Sequence, residues 1–139
     1  MESFDSSEQL DLGEEFKDKI CLTVSEVAHM LIRKKEELEK EPQSDYINDV
    51  FDKSLTYARR FGGGLSEETT KAIKSYLTRV KLTTKTSERK NLQTFEVAEL
   101  ANLMPGDAEE ALTLIPSLRE FEEKEVENLL KELESLKGI

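Results

Sequence analysis

Three prolines, Pro42, Pro105 and Pro116, and a glycine run from Gly62 to Gly64 divide the 139-residue chain into short segments. Inside most of these segments the apolar residues return at three- and four-residue intervals, the period of a half-buried helix. Proline lacks a backbone donor and disfavours helix at the residue before it, so these positions end helices rather than continue them. The chain is therefore expected to be mainly α, a bundle of short amphipathic helices. Lys, Glu and Leu dominate, charged residues make up 36% and aromatics 6%, which agrees with a helix-rich domain.

Capping residues place the individual helices. Thr23 is the expected N-cap of the first, with Glu26 three residues on to complete a capping box. Val27, Leu31 and Leu38 form its stripe, widened by Val24, Ala28 and Ile32, and Pro42 closes it. Asp45 is the expected cap of the second helix, in which Ile47, Val50, Phe51, Leu55, Ala58 and Phe61 fall at helical spacing. The glycine run ends it. A phosphate cradle at these glycines is disfavoured, because no strand precedes them and no Lys-Ser or Lys-Thr follows. Ser66 caps a third helix that runs to Leu82, with Ile73, Tyr76, Leu77 and Val80 on its apolar face and Lys81 in its last turn.

The stretch TTKTSERKN, Thr83 to Asn91, contains no apolar residue and reads as a mobile loop. A fourth helix follows, with Thr94 as its cap and Phe95, Ala98, Leu100 and Ala101 on a broad apolar surface. Asp107 and Glu110 box a short fifth helix, and Pro116 stops it. The last helix starts at Ser117 or nearer Glu122. It carries Val126, Leu129, Leu130, Leu133 and Leu136 in one stripe and ends at Gly138. The four residues IPSL thus form a corner, with Ile115 and Leu118 inside the bend. Near the start, Leu10 and Leu12 alternate with polar residues as in a half-buried strand, closed by Gly13. A lone strand needs a sheet edge, which another chain could supply, and the residues by themselves favour a coil packed on the helices.

Charge and chemistry exclude several functions. The formal net charge is −10, against wholesale wrapping of nucleic acid. It is unevenly spread. Residues 71–90 carry Lys71, Lys74, Arg79, Lys81, Lys85, Arg89 and Lys90 against Glu88 alone, whereas residues 107–139 carry ten acids against four bases. The basic segment is either a contact for RNA or an acidic protein, or simply a solvated surface, and the second is the commoner case. One cysteine, Cys21, rules out an internal disulfide and suits a reducing compartment. One histidine, His29, lies near the first stripe and reads as a partly buried side chain rather than a catalytic one. No cofactor or metal site is expected, since a single thiol and a single imidazole do not make a four-ligand zinc site. No membrane span is expected, and the acidic start does not read as a secretory signal.

Five segments carry a family resemblance: QLDLGEEF, LTVSEVAHML, VFDKSLTYARRF, FEVAELANLMPGDAEEALTLIPSL and EVENLLKEL. In that order, over about residues 8–136, they resemble subunit four of eukaryotic RNA polymerase II, the smaller half of the polymerase stalk, a family shared with the archaeal stalk subunit. The resemblance implies a non-catalytic nuclear protein that forms a heterodimer with the larger, OB-fold-containing stalk subunit. Through that subunit it reaches the core polymerase beside the RNA exit channel, supports initiation, and meets nascent RNA mostly indirectly. It implies an N-terminal extended arm, then a helical bundle ending in a unit like the helicase-and-RNase-D C-terminal fold. The organisation becomes a tail and partner-pairing strand at 1–22, a helical region at 23–82, a flexible loop at 83–92 and a C-terminal helical unit at 93–139. The residues it assigns to the partner are Leu10, Leu12, Phe16, Val24, Val27, Leu31, Phe95, Leu100, Leu103, Leu114, Ile115, Pro116 and Leu118. Lys81, Lys85, Arg89 and Lys90 are the candidate RNA contacts. The chain departs from the family pattern in GGGLSEET, in the long TTKTSERKN stretch and in the short connection at Pro42. Two other readings stay open: a direct RNA-binding helical domain, and the equivalent stalk subunit of an archaeal, plant-specific, polymerase I or polymerase III enzyme.

Overall fold

The structure, a computed structural model, describes residues 15, 19–40 and 49–138. Leu10, Leu12 and Phe16, the expected arm, lie outside the described residues, as do Pro42, Asp45 and Ile47. Six α-helices follow one another: α1 (Val24–Glu39), α2 (Asp49–Phe61), α3 (Glu67–Arg79), α4 (Thr94–Leu103), α5 (Ala108–Leu114) and α6 (Glu123–Lys137). A two-stranded antiparallel hairpin, β1 (Lys81–Thr83) and β2 (Arg89–Asn91), stands between α3 and α4.

Local chemistry explains the helix ends. The Thr23 hydroxyl accepts the Glu26 N–H at 3.1 Å and the Glu26 carboxylate accepts the Thr23 N–H at 3.0 Å, so the capping box closes. Ser66 caps α3 by accepting the Thr69 N–H. Asp107 caps α5 by accepting the Glu110 N–H, while the Glu110 carboxylate reaches back to the Gly106 N–H instead of to Asp107. After α2, Gly63 and Gly64 take φ of +76° and +64°, left-handed geometry that glycine tolerates without strain.

The main apolar cluster lies among α3, β1, α4, α5 and α6. Ile73, Leu77, Leu82, Val97, Leu100, Ile115, Leu118, Phe121, Val126, Leu129 and Leu133 pack in it. The proline corner is central to this cluster. Pro116–Glu120 form a 3-10 turn, with Ile115 just before it and Leu118 at its middle, both fully buried. Among the described residues, α1 and α2 contribute nothing to this cluster; their own buried apolar side chains are Ala28, Leu55 and Ala58.

Two sequence expectations are corrected here. Helix α3 ends at Arg79, so Lys81 lies in a strand and not in a last helical turn. The expected loop is an ordered hairpin. Its register pairs Lys81 with Asn91, Leu82 with Lys90 and Thr83 with Arg89. Leu82 and Leu92, just outside the polar stretch, are buried and anchor it to the core. The backbone around Phe121 then extends the pairing: Glu122 N–H donates to the Thr83 carbonyl at 3.0 Å and Lys85 N–H to the Glu120 carbonyl at 2.9 Å.

Candidate partner interface

Helices α1 and α2 pack on each other with the end of α2 against the start of α1. A Cβ placed on Gly62 would lie 2.7 Å from the Ala58 carbonyl oxygen and 3.2 Å from Ser25 Cα, so glycine permits this approach. Between the two helices runs an open, mainly apolar groove. Leu22, Val24, Val27 and Leu31 line one side, and Tyr57 and Ala58 line the other beside Lys53 and Ser54. Its rim is exposed: Tyr57 is 60% exposed, Phe61 54% and Leu22 49%. Tyr57 and Phe61 stack one turn apart with ring centroids at 4.6 Å, and the Arg60 guanidinium lies 5.6 Å from the Phe61 ring centre. Val50 extends the same stripe outward. Positions 50, 54, 57 and 61 share one side of a helix. A helix pair this short, with so little buried apolar surface of its own, gains most from a second surface laid over the groove.

The pair is stitched to the rest of the chain by polar contacts. Ser25 and Thr70 hydroxyls lie 2.7 Å apart, buried between α1 and α3. Lys74 bridges to Glu26 at 2.8 Å and donates to the Cys21 carbonyl. Burial pushes the Glu26 carboxyl up, but the bonds and charge of Lys74 and the bonds from Thr23 outweigh it, and its pKa falls below the ordinary value. Val24 N–H donates to Asn102 Oδ1 at 2.8 Å, His29 Nε2 donates to the Leu65 carbonyl at 3.1 Å, and Arg33 pairs with Glu67. His29 is thereby used in holding α1 to the start of α3.

The residues assigned to the partner divide sharply. Val24, Val27 and Leu31 come together on the groove. Leu103 and Leu114 are exposed, and Pro116 is half-buried. Leu100, Ile115 and Leu118 are enclosed in the chain's own cluster, and Phe95 is also buried. Their side chains offer no surface to a second chain. The partner assignment does not include Leu22, Val50, Tyr57 or Phe61, although Val50 and Phe61 stand at helical spacing in the sequence. The 50, 54, 57, 61 spacing was there to find, but it lies beside the stripe of Phe51, Leu55 and Ala58 and merges with it.

The RNA candidates divide as well. Lys81, Lys85 and Arg89 are exposed on the hairpin, whereas Lys90 pairs with Glu120 at 3.3 Å. One acid is fully withdrawn from water. Glu96, 1% exposed, accepts the Gln93 N–H and the Ser117 hydroxyl, both at 2.7 Å, and so ties the start of α4 to the proline corner. Burial raises its pKa, only partly countered by those two bonds. Among the described residues no three His, Cys, Asp or Glu side chains gather to hold a metal ion, and no helix is long and apolar enough to cross a membrane.

The family model for RNA polymerase Rpb4 matches residues 21–137. The chain belongs to the RNA polymerase Rpb4 family. Relatives of this Rpb4-family chain include DNA-directed RNA polymerase II subunit 4 of Arabidopsis thaliana, 30% identical over 98% of this chain and 96% of that protein. DNA-directed RNA polymerase II subunit rpb4 of Dictyostelium discoideum is 34% identical over 92% of this chain and 86% of its own length. The subunit of the same name from Schizosaccharomyces pombe is 31% identical over 93% and 89%. The Rpb4 match takes in the groove, the hairpin and the proline corner together.

Proposed function

We propose that this chain is the Rpb4 subunit of a nuclear RNA polymerase II, a non-catalytic protein whose α1–α2 face docks on the larger stalk subunit. The heterodimer sits near the RNA exit channel and serves initiation and the handling of nascent RNA. The observation that carries the reading is the groove between α1 and α2, apolar, open, and outside the cluster that holds the rest of the chain together. Family membership and the names of the relatives supply the polymerase. Covering about 1,000 Å² of apolar surface there contributes on the order of 25 kcal/mol before ordering costs. Much of that is offset by lost freedom, which still leaves room for a tight complex.

Co-expression with the larger subunit tests this. The wild-type chain is expected to co-purify with it in equal amounts. Leu31→Glu combined with Tyr57→Ala, both at the groove, should abolish co-purification while the far-ultraviolet circular dichroism stays helical. Alone, the wild-type chain is expected to self-associate as its concentration rises. A monomer at every concentration that ignores the larger subunit refutes the proposal.

A further inference from the structure

We infer that the outer face of the β1–β2 hairpin is a sequence-independent contact for the phosphates of single-stranded RNA, an inference that rests on the reading of the chain as a polymerase subunit. Directly paired residues of an antiparallel ribbon share a face. Lys81 and Asn91 therefore stand with Thr83 and Arg89, and Leu82 stands with Lys90 on the other side. Leu82 is buried against the core, so the Lys81–Arg89 side is the outward one.

That face is built and not merely charged. The Arg89 guanidinium donates to the Lys81 carbonyl at 3.0 Å and to the Thr83 hydroxyl at 3.4 Å. It is laid across the ribbon with further donors unused, the fork geometry that suits phosphate. Lys85 extends from the turn. Among the described residues, no carboxylate lies within 4.0 Å of the charged groups of Lys81, Lys85 or Arg89, whereas Lys90, also exposed but on the face it shares with Leu82, is paired with Glu120. The hairpin is already fixed by its backbone bonds to Glu120 and Glu122, so an incoming strand need not order it.

Composition chooses the occupant. Residues 79–91 hold Arg79, Lys81, Lys85, Arg89 and Lys90 against Glu88 in a chain of net charge −10. Within the hairpin, Leu82, its apolar side chain, is buried, which leaves no greasy centre of the kind a protein partner covers. No aromatic side chain lies between Lys81 and Asn91, so bases have nothing to stack on and the contact reads phosphate alone. The location is also open. α1 is fastened to α3 through Thr70 and Lys74, and the hairpin leaves that helix after Arg79, about 8 Å of helix beyond Lys74. A subunit covering the α1–α2 groove leaves it accessible.

The test is fluorescence anisotropy of a labelled oligouridylate with the full chain, alone and co-purified with the larger subunit, over a series of salt concentrations. Contact with about three phosphates predicts a log–log salt slope near −2 for the chain alone. Lys81→Glu, Lys85→Glu and Arg89→Glu together should weaken binding at least about tenfold at low salt and flatten that slope. Lys81→Gln with Lys85→Gln, which keeps the Arg89 bonds, should lower the slope by about half or more. Lys124→Glu with Lys131→Glu, on α6, should change neither. All variants should still co-purify with the larger subunit, which separates a failure here from a failure of the docking proposal. Binding that is absent at low salt, unchanged by the hairpin substitutions, or displaced as readily by polyglutamate as by unlabelled RNA overturns the inference.

Discussion

Replacing Glu96 by alanine and by glutamine separates what its hydrogen bonds contribute from what its charge costs. The carboxylate accepts the Gln93 N–H and the Ser117 hydroxyl, each at 2.7 Å. In Glu96→Ala the exposed Gln93 N–H can turn to water, but Ser117 is 2% exposed and its hydroxyl is left without this acceptor. An unsatisfied buried hydroxyl costs about 1–3 kcal/mol, and removing the side-chain methylenes adds about 1–2 kcal/mol. The alanine variant should therefore lose about 3 kcal/mol. With a urea slope of about 1.5 kcal/mol/M, the midpoint falls by about 2 M. Glu96→Gln keeps an acceptor for Gln93 and offers an amide donor to the Ser117 oxygen, while removing the buried charge. It should be at least as stable as the wild type at neutral pH.

The pH dependence supplies the sign. The unfolded chain releases the Glu96 proton near the ordinary 4.5, and the folded chain holds it to a higher pH. This group therefore favours the fold below 4.5, and that stabilisation is lost as pH rises through the folded value. The wild type should lose stability across that window relative to Glu96→Gln. Urea titrations of the dilute full chain at several pH values, followed by circular dichroism, measure this. A glutamine variant that loses as much as the alanine variant refutes the reasoning, because the ionised charge itself would then be holding the corner.

Glu26 should behave in the opposite sense. Its depressed pKa gives stability present above the ordinary 4.5 and lost as pH falls through the lower folded value. Lys74→Met should remove most of that acid sensitivity, read as a smaller change in urea midpoint on acidification. At Gly62, alanine would drive a methyl group to 2.7 Å from the Ala58 carbonyl oxygen. Gly62→Ala should destabilise the α1–α2 pair by about 1–3 kcal/mol, seen as faster amide exchange in α1 and α2 with α6 unaffected.

Helix positions were legible because capping and punctuation are local. Thr23 with Glu26, Ser66, and Asp107 each act within a few residues, and the proline corner follows from what proline does to its neighbour. The hairpin was illegible for the complementary reason. Nothing between Thr83 and Asn91 is apolar, and its order comes from Leu82 and Leu92 outside the stretch and from backbone bonds to residues 120 and 122. Those partners are distant in sequence. The candidate interface was half legible. Periodicity marks a face that leaves water but not what covers it, so Leu100 and Ile115, which serve the chain's own core, looked the same as Val27 and Leu31, which line an open groove. Exposure decided between them.

The seam that fastens α1 to α3 and α4 is made largely of hydroxyls, an ion pair and a histidine, with the main apolar cluster lying wholly on one side of it. Such a seam can part without dissolving the bundle, because water replaces its bonds at modest cost. An orphaned copy would then fray at its first two helices and offer proteases an early foothold, while a mated copy would stay shut. On the docking proposed above, cellular levels of this chain would in this way follow those of the larger subunit with no dedicated regulator.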